Sequence, residues 1–203
     1  MIEIIFIVFL GVFLTMKNMN FRIALMMGLM VLAALSRLQP YNNEATWQLW
    51  NFTPVAAIAL FGGMIFGRNK LMAFALPLAA MLLSDAALGF VKGWEYGFYG
   101  WSQAVNYACF AAIVAIGLRF KRNSVGEIAL GGIAGSALFF GISNLFVWAS
   151  GTMYSHDLSG LMVCYTAAIP FGVKFLGGTL FYSALLFGAF KAVESKSLIM
   201  AKA

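Results

Sequence analysis

Charge is scarce in this chain: 10% of its 203 residues are charged, 63% are hydrophobic and the mean hydropathy is +0.90. A soluble domain carries about 25% charged residues, so this sequence has too little polar surface to face water all round. A water-soluble globular enzyme is excluded. Cysteine is scarce too, and Cys109 and Cys164 both sit inside apolar runs, which speaks against a disulfide framework and for inert buried thiols. With one histidine and no Cys/His ligand spacing, no metal site is expected. The chain also lacks a Gly-x-Ser-x-Gly elbow, a His-Glu-x-x-His helix and a phosphate-cradling glycine loop with lysine. Nucleophilic, metal-dependent and nucleotide-driven chemistry have no motif to rest on, and no enzyme activity or cofactor is expected.

What is present is apolar sequence in helix-sized lengths. Runs at 2–16, 22–37, 53–67, 71–90, 101–118, 126–149 and 160–190 are separated by charged or turn-rich breaks. A spanning helix needs roughly 20 apolar residues. The expected fold is therefore all-α: a polytopic transmembrane helix bundle of about seven spans, in one integral membrane domain over 1–203. It divides into a six-helix core at 22–191 and an extra N-terminal helix at 2–16. The first run has Glu3 ahead of it and Lys17 and Arg22 behind it, with no basic leader, so it reads as a retained helix rather than a secretory signal. Pro170 is expected to break the last run into a short outer helix and a spanning one.

The net charge of +6 does not point to nucleic acid, because the bases lie in short clusters between apolar runs. Lys17 with Arg22, Arg68 with Lys70, Arg119 with Lys121 and Arg122, and Lys191 with Lys196 and Lys202 mark every second connection. By the positive-inside rule these face the cytoplasm, which puts the N-terminus outside, the C-terminus inside and loops 38–52, 91–100 and 150–159 on the outer side. The expected location is a bacterial cytoplasmic (inner) membrane.

With that orientation the polar residues gather at one depth. Asn51 and Thr53, Ser84 and Asp85, Gln103 and Asn106, and Ser143, Asn144 and Trp148 all fall near outer helix ends. Trp47, Trp50, Trp94, Trp101 and Trp148 share that side. Interfacial belts normally occur at both faces, so one-sided placement suggests that some tryptophans form a lid or ligand surface, with a plain belt as the alternative. Asp85 is the sharpest residue, because an ionised carboxylate at membrane depth costs on the order of 3 kcal/mol and needs a partner or an aqueous cavity. Lys174 is a candidate partner; a structural ion pair or a carboxylate that reaches interfacial water is the ordinary reading, and direct ligand contact is the alternative. His156 and Asp157 form the only histidine-containing pair, in the loop GTMYSHDLSG, where a solvated histidine is the ordinary reading. Small residues recur at spacing four in Ala24/Gly28, Ala75/Ala79, Ala104/Ala108/Ala112 and Gly131/Gly135, as close helix packing in lipid requires. Ala24 and Gly28, in the cytoplasmic half of their helix, are candidate docking residues for a partner subunit.

The stretches WNFTPVAAIALFGGMIF, PLAAMLLSDAALGF, SNLFVW and GLMVCYTAAIPF resemble an uncharacterised family of small bacterial membrane proteins, over roughly residues 30–190. More widely, the chain resembles the substrate-binding S components of energy-coupling-factor vitamin transporters, including solitary ones associated with cobalamin uptake. That resemblance implies six helices over 22–191, ligand binding under loops 38–52, 91–100 and 150–159, and an Ala-x-x-x-Ala-like docking motif matched imperfectly by Ala24 and Gly28. A vitamin or corrinoid would then be a ligand rather than a cofactor. The expected function is a membrane-embedded substrate-binding or uptake protein for a small polar or vitamin-like molecule. Its ligand residues would be Asn51, Asp85, Trp94, Asn106, Asn144, Trp148 and His156, and its partners the bilayer, the ligand and a coupling membrane subunit. The rival expectation is an accessory or assembly subunit of a larger membrane complex with no transport role.

Overall fold

The computed structural model describes residues 28, 31 and 51–200. The expected helices at 2–16 and 22–37, with Ala24, Trp47 and Trp50, lie outside them, apart from Gly28 and Val31, which are helical. Gly28 is buried. The described residues contain helices and no strand: α1 (Val55–Ile65), α2 (Lys70–Lys92), a single turn α3 (Trp94–Gly97), α4 (Trp101–Gly117), α5 (Val125–Ser150) and α6 (Leu158–Met200). Three are long and apolar enough to cross a membrane, namely α2, α5 and the Leu158–Ala192 part of α6. This is a membrane protein by the length and composition of those helices.

The core is built around α1. All but one of its 11 residues are buried, and it packs against α2, α4, α5 and α6. A helix apolar on every side suits a protein core or lipid, and here neighbouring helices enclose it. At about 1.5 Å per residue it is some 16 Å long, roughly half a bilayer core, so the expected span at 53–67 is a short central helix instead. The chain enters it through Asn51, whose φ of +69° is one that asparagine tolerates, and through Pro54. Phe61 meets Phe187 and Phe190 of α6 edge-on at 5.0 and 6.0 Å. Gly63 and Gly117 bring the α1 and α4 backbones together, since a Cβ on Gly63 would strike the Val114 carbonyl and one on Gly117 would lie 2.6 Å from the Leu60 carbonyl.

Pro170 does not break α6, contrary to the sequence expectation; the helix runs on past it. A break in an apolar medium leaves several backbone groups without partners, whereas continuing the helix loses one amide bond, and in lipid the second is the smaller cost. α2 likewise continues through Pro77, whose ring sits where a Cβ on Gly62 of α1 would be.

Successive helices reverse direction, so Arg68, Lys70, Arg119, Lys121, Arg122 and Lys191 collect at one end of the bundle. There Arg122 bonds Glu194 at 3.1 Å and lies 5.1 Å from the Phe190 ring centroid. Asn51, Asp85, Asn106, Asn144 and the loop at 151–157 collect at the other.

Candidate functional site

The first polar group at this end lines a cavity of about 170 Å³ between α5, α6 and the entry to α1. Its walls are Asn51, Phe139, Phe140, Ser143, Asn144, Ala168, Phe171, Gly172 and Phe175. Helical spacing explains the α5 contribution, because residues 139, 140, 143 and 144 lie one turn apart on one face. Gly172 explains how close the α6 wall comes: a Cβ there would stand 2.7 Å from the Phe140 ring. Tyr165 donates to the Gly141 carbonyl at 2.6 Å and the Cys164 thiol to the Asn144 carbonyl at 3.6 Å, which ties α6 to α5 beside the cavity. Phe139 and Phe175 stack at 4.5 Å and 17°, and Phe110 continues the column at 5.4 Å.

The polar groups of this cavity have hydrogen-bonding capacity to spare. Asn144 Nδ2 donates to the Phe140 carbonyl at 2.8 Å, leaving its Oδ1 and second amide hydrogen unused among the described residues. The Asn51 amide and the Ser143 hydroxyl have no side-chain hydrogen bond among those residues. None of the nine lining residues is titratable; Lys174 follows Gly172 by two positions but is not among them.

Asp85 lies in a separate cluster. It is 1% exposed, and its Oδ2 accepts from Tyr107 Oη at 2.7 Å and Gln103 Nε2 at 3.1 Å. Gln103 Nε2 also reaches the Gly97 carbonyl at 2.7 Å, so the carboxylate pins the α3 turn to the helix ends. Gly97 fits because it has no Cβ; one would overlap the Asp85 carbonyl. Trp94 covers Gly89, between Phe90 at 4.9 Å and Phe98 at 5.5 Å. Asn106 Nδ2 donates to Tyr99 Oη at 2.9 Å. Arg122 pairs with Glu194, whereas Lys174 forms no bridge to Asp85, contrary to the sequence expectation. The partner that sequence reasoning missed is Tyr107, one helical turn from Gln103 and so on the same face of α4, a signal that was there to read.

The third group is the α5–α6 loop. Trp148 Nε1 donates to the Ser155 carbonyl at 2.9 Å, its ring meets His156 at 5.8 Å edge-on, and His156 Nε2 lies 2.9 Å from the Gly151 carbonyl. Asp157 caps α6, accepting from Gly160 N at 2.7 Å and Ser155 Oγ at 2.9 Å. The Gly160 amide, then the Ser155 hydroxyl, hold its carboxyl below the usual range. A carboxylate with a depressed folded pKa stabilises above its unfolded value of about 3.9 and loses that contribution as pH falls through the folded value. Acidification below about pH 4 is therefore expected to lower the protection factor of the Gly160 amide, its exchange rate taken relative to the intrinsic rate at the same pH, and Asp157→Asn to remove that pH dependence.

Thus Asn51 and Asn144 share the cavity, Asp85 and Asn106 sit in the hydrogen-bonded layer between α2, α3 and α4, Trp94 covers that layer, and Trp148 and His156 shape the α5–α6 loop. No cluster of three or more metal-ligating side chains occurs among the described residues. Residues 17–201 match the model of DUF6580, a family of unknown function. No curated protein and no solved structure matches the chain.

Proposed function

The chain belongs to that family, and we propose that it is a membrane-embedded binding protein that takes up a small polar molecule at the end of the bundle opposite the basic loops. The observation that carries this reading is the cavity beside Asn51, Ser143 and Asn144, where polar groups with unused hydrogen-bonding capacity meet aromatic walls. All three side chains are half-buried, and binding sites combine apolar walls with a few convergent polar groups. At about 170 Å³ the cavity is below the roughly 300–1,000 Å³ of drug-sized sites, which favours a small solute over a corrinoid. In this reading the basic end faces the cytoplasm of a bacterial cell, the cavity opens outward, and transport energy comes from a coupling subunit or from trapping, since the sequence has no nucleotide-binding loop.

The test is mass spectrometry of small molecules released from protein purified in native membrane patches. A solute present with the wild type and depleted at least about fivefold with Asn144→Leu is expected, since neutral hydrogen bonds contribute about 1 kcal/mol each. Equal recovery from both proteins, or none from either, counts against the reading.

A further inference from the structure

The cavity also constrains the chemistry of what it holds. Resting on the binding reading above, we infer that its ligand is uncharged and flat, with an amide-like edge that both donates and accepts hydrogen bonds. Three observations converge. No wall residue is titratable, so a cation or anion would enter without a counter-charge, and burying an unpaired ion is far more costly than burying a hydrogen-bonded neutral group. The available polar groups are two carboxamides and a hydroxyl, each able to donate and to accept, which complements an edge of mixed donors and acceptors rather than a charged one. Four phenylalanines line the walls, two of them stacked at 4.5 Å, and aromatic walls accept a planar π-system face-on or edge-on. The volume of about 170 Å³ equals roughly six waters' share of liquid, enough for a single substituted ring.

Benzamide, benzoate and benzamidinium test this, because they share one shape and differ in charge. Binding is measured by calorimetry on the full chain in nanodiscs, with Asn51→Gly and Asn144→Leu as the cavity variants. Asn51→Gly removes the amide while suiting the positive φ of +69°. The expected result is that benzamide binds at least about tenfold tighter than either charged analogue, and that each variant weakens it by about tenfold. A charged analogue that binds as tightly, with the same sensitivity to the variants, overturns the neutral ligand but leaves the cavity a binding site. If no analogue binds while a solute released from the wild type depends on Asn144, the flat amide class is wrong and the binding reading stands. If no analogue binds and no solute depends on Asn144, both fall.

Discussion

Gly63→Val is expected to yield no monodisperse protein, and Gly63→Ala to lower the midpoint of thermal unfolding in detergent sharply. The reason is what a side chain at this position would meet. Its Cβ would strike the Val114 carbonyl of α4, with Gly117 Cα only 3.0 Å away, and these are backbone atoms that no rotamer change can move. Overpacking that side chains can relieve costs typically about 1–3 kcal/mol. Here whole helices must separate, so about 3 kcal/mol or more is expected for Ala and more for Val. α1 cannot retreat, because α2, α5 and α6 enclose its other sides. Gly141→Ala and Gly188→Ala are the controls: a Cβ at either meets nothing within 4 Å, and each exchange should be neutral or gain up to about 1 kcal/mol from helix propensity. Wild-type stability in Gly63→Val would refute the close approach of α1 and α4.

Asp85→Leu should be the most damaging change among the polar residues. It removes the acceptor of Tyr107 Oη and Gln103 Nε2 in a part-buried layer whose carboxyl group is itself buried. Leaving a donor in such a layer without its acceptor costs about 1–3 kcal/mol, whereas Asp85→Asn keeps an acceptor oxygen and should lose markedly less. Because Gln103 also holds the Gly97 carbonyl, the Leu variant should expose the α3 turn as well. Thermal unfolding together with hydrogen exchange over 93–100 reads both effects. Wild-type stability of the Leu variant would show that the Asp85 side chain carries no structural role, and would return Asp85 to the list of ligand contacts.

The bounds of three helices could be read from hydropathy to within a few residues. The expected 71–90, 101–118 and 126–149 became Lys70–Lys92, Trp101–Gly117 and Val125–Ser150. Contact faces were harder. Of the small-residue pairs at spacing four, Gly131 and Gly135 do lie at contacts, with Leu60 and Ile113 close by, but Ala75, Ala79, Ala104 and Ala108 are exposed. The close backbone approach of α1 and α4 uses Gly63 and Gly117, which belong to different helices and form no local motif. Local spacing describes one helix surface and says nothing about which neighbour it meets.

The sequence by itself determined the solvent and the polarity of the ends. Both are sums over local residues: enough apolar length to span a bilayer, and basic clusters at alternate breaks that antiparallel helices must bring to one end. Tertiary structure alone decided the grouping of the polar residues. Asn51, Asp85, Asn106 and Asn144 lie at similar depth, but depth leaves the rotation of each helix about its axis undetermined. That rotation is set by contacts such as Gly63 with Val114 and Gly172 with Phe140. It turns Gln103 and Tyr107 toward Asp85 and leaves Asn144, Ser143 and Asn51 around a cavity with no charge of its own.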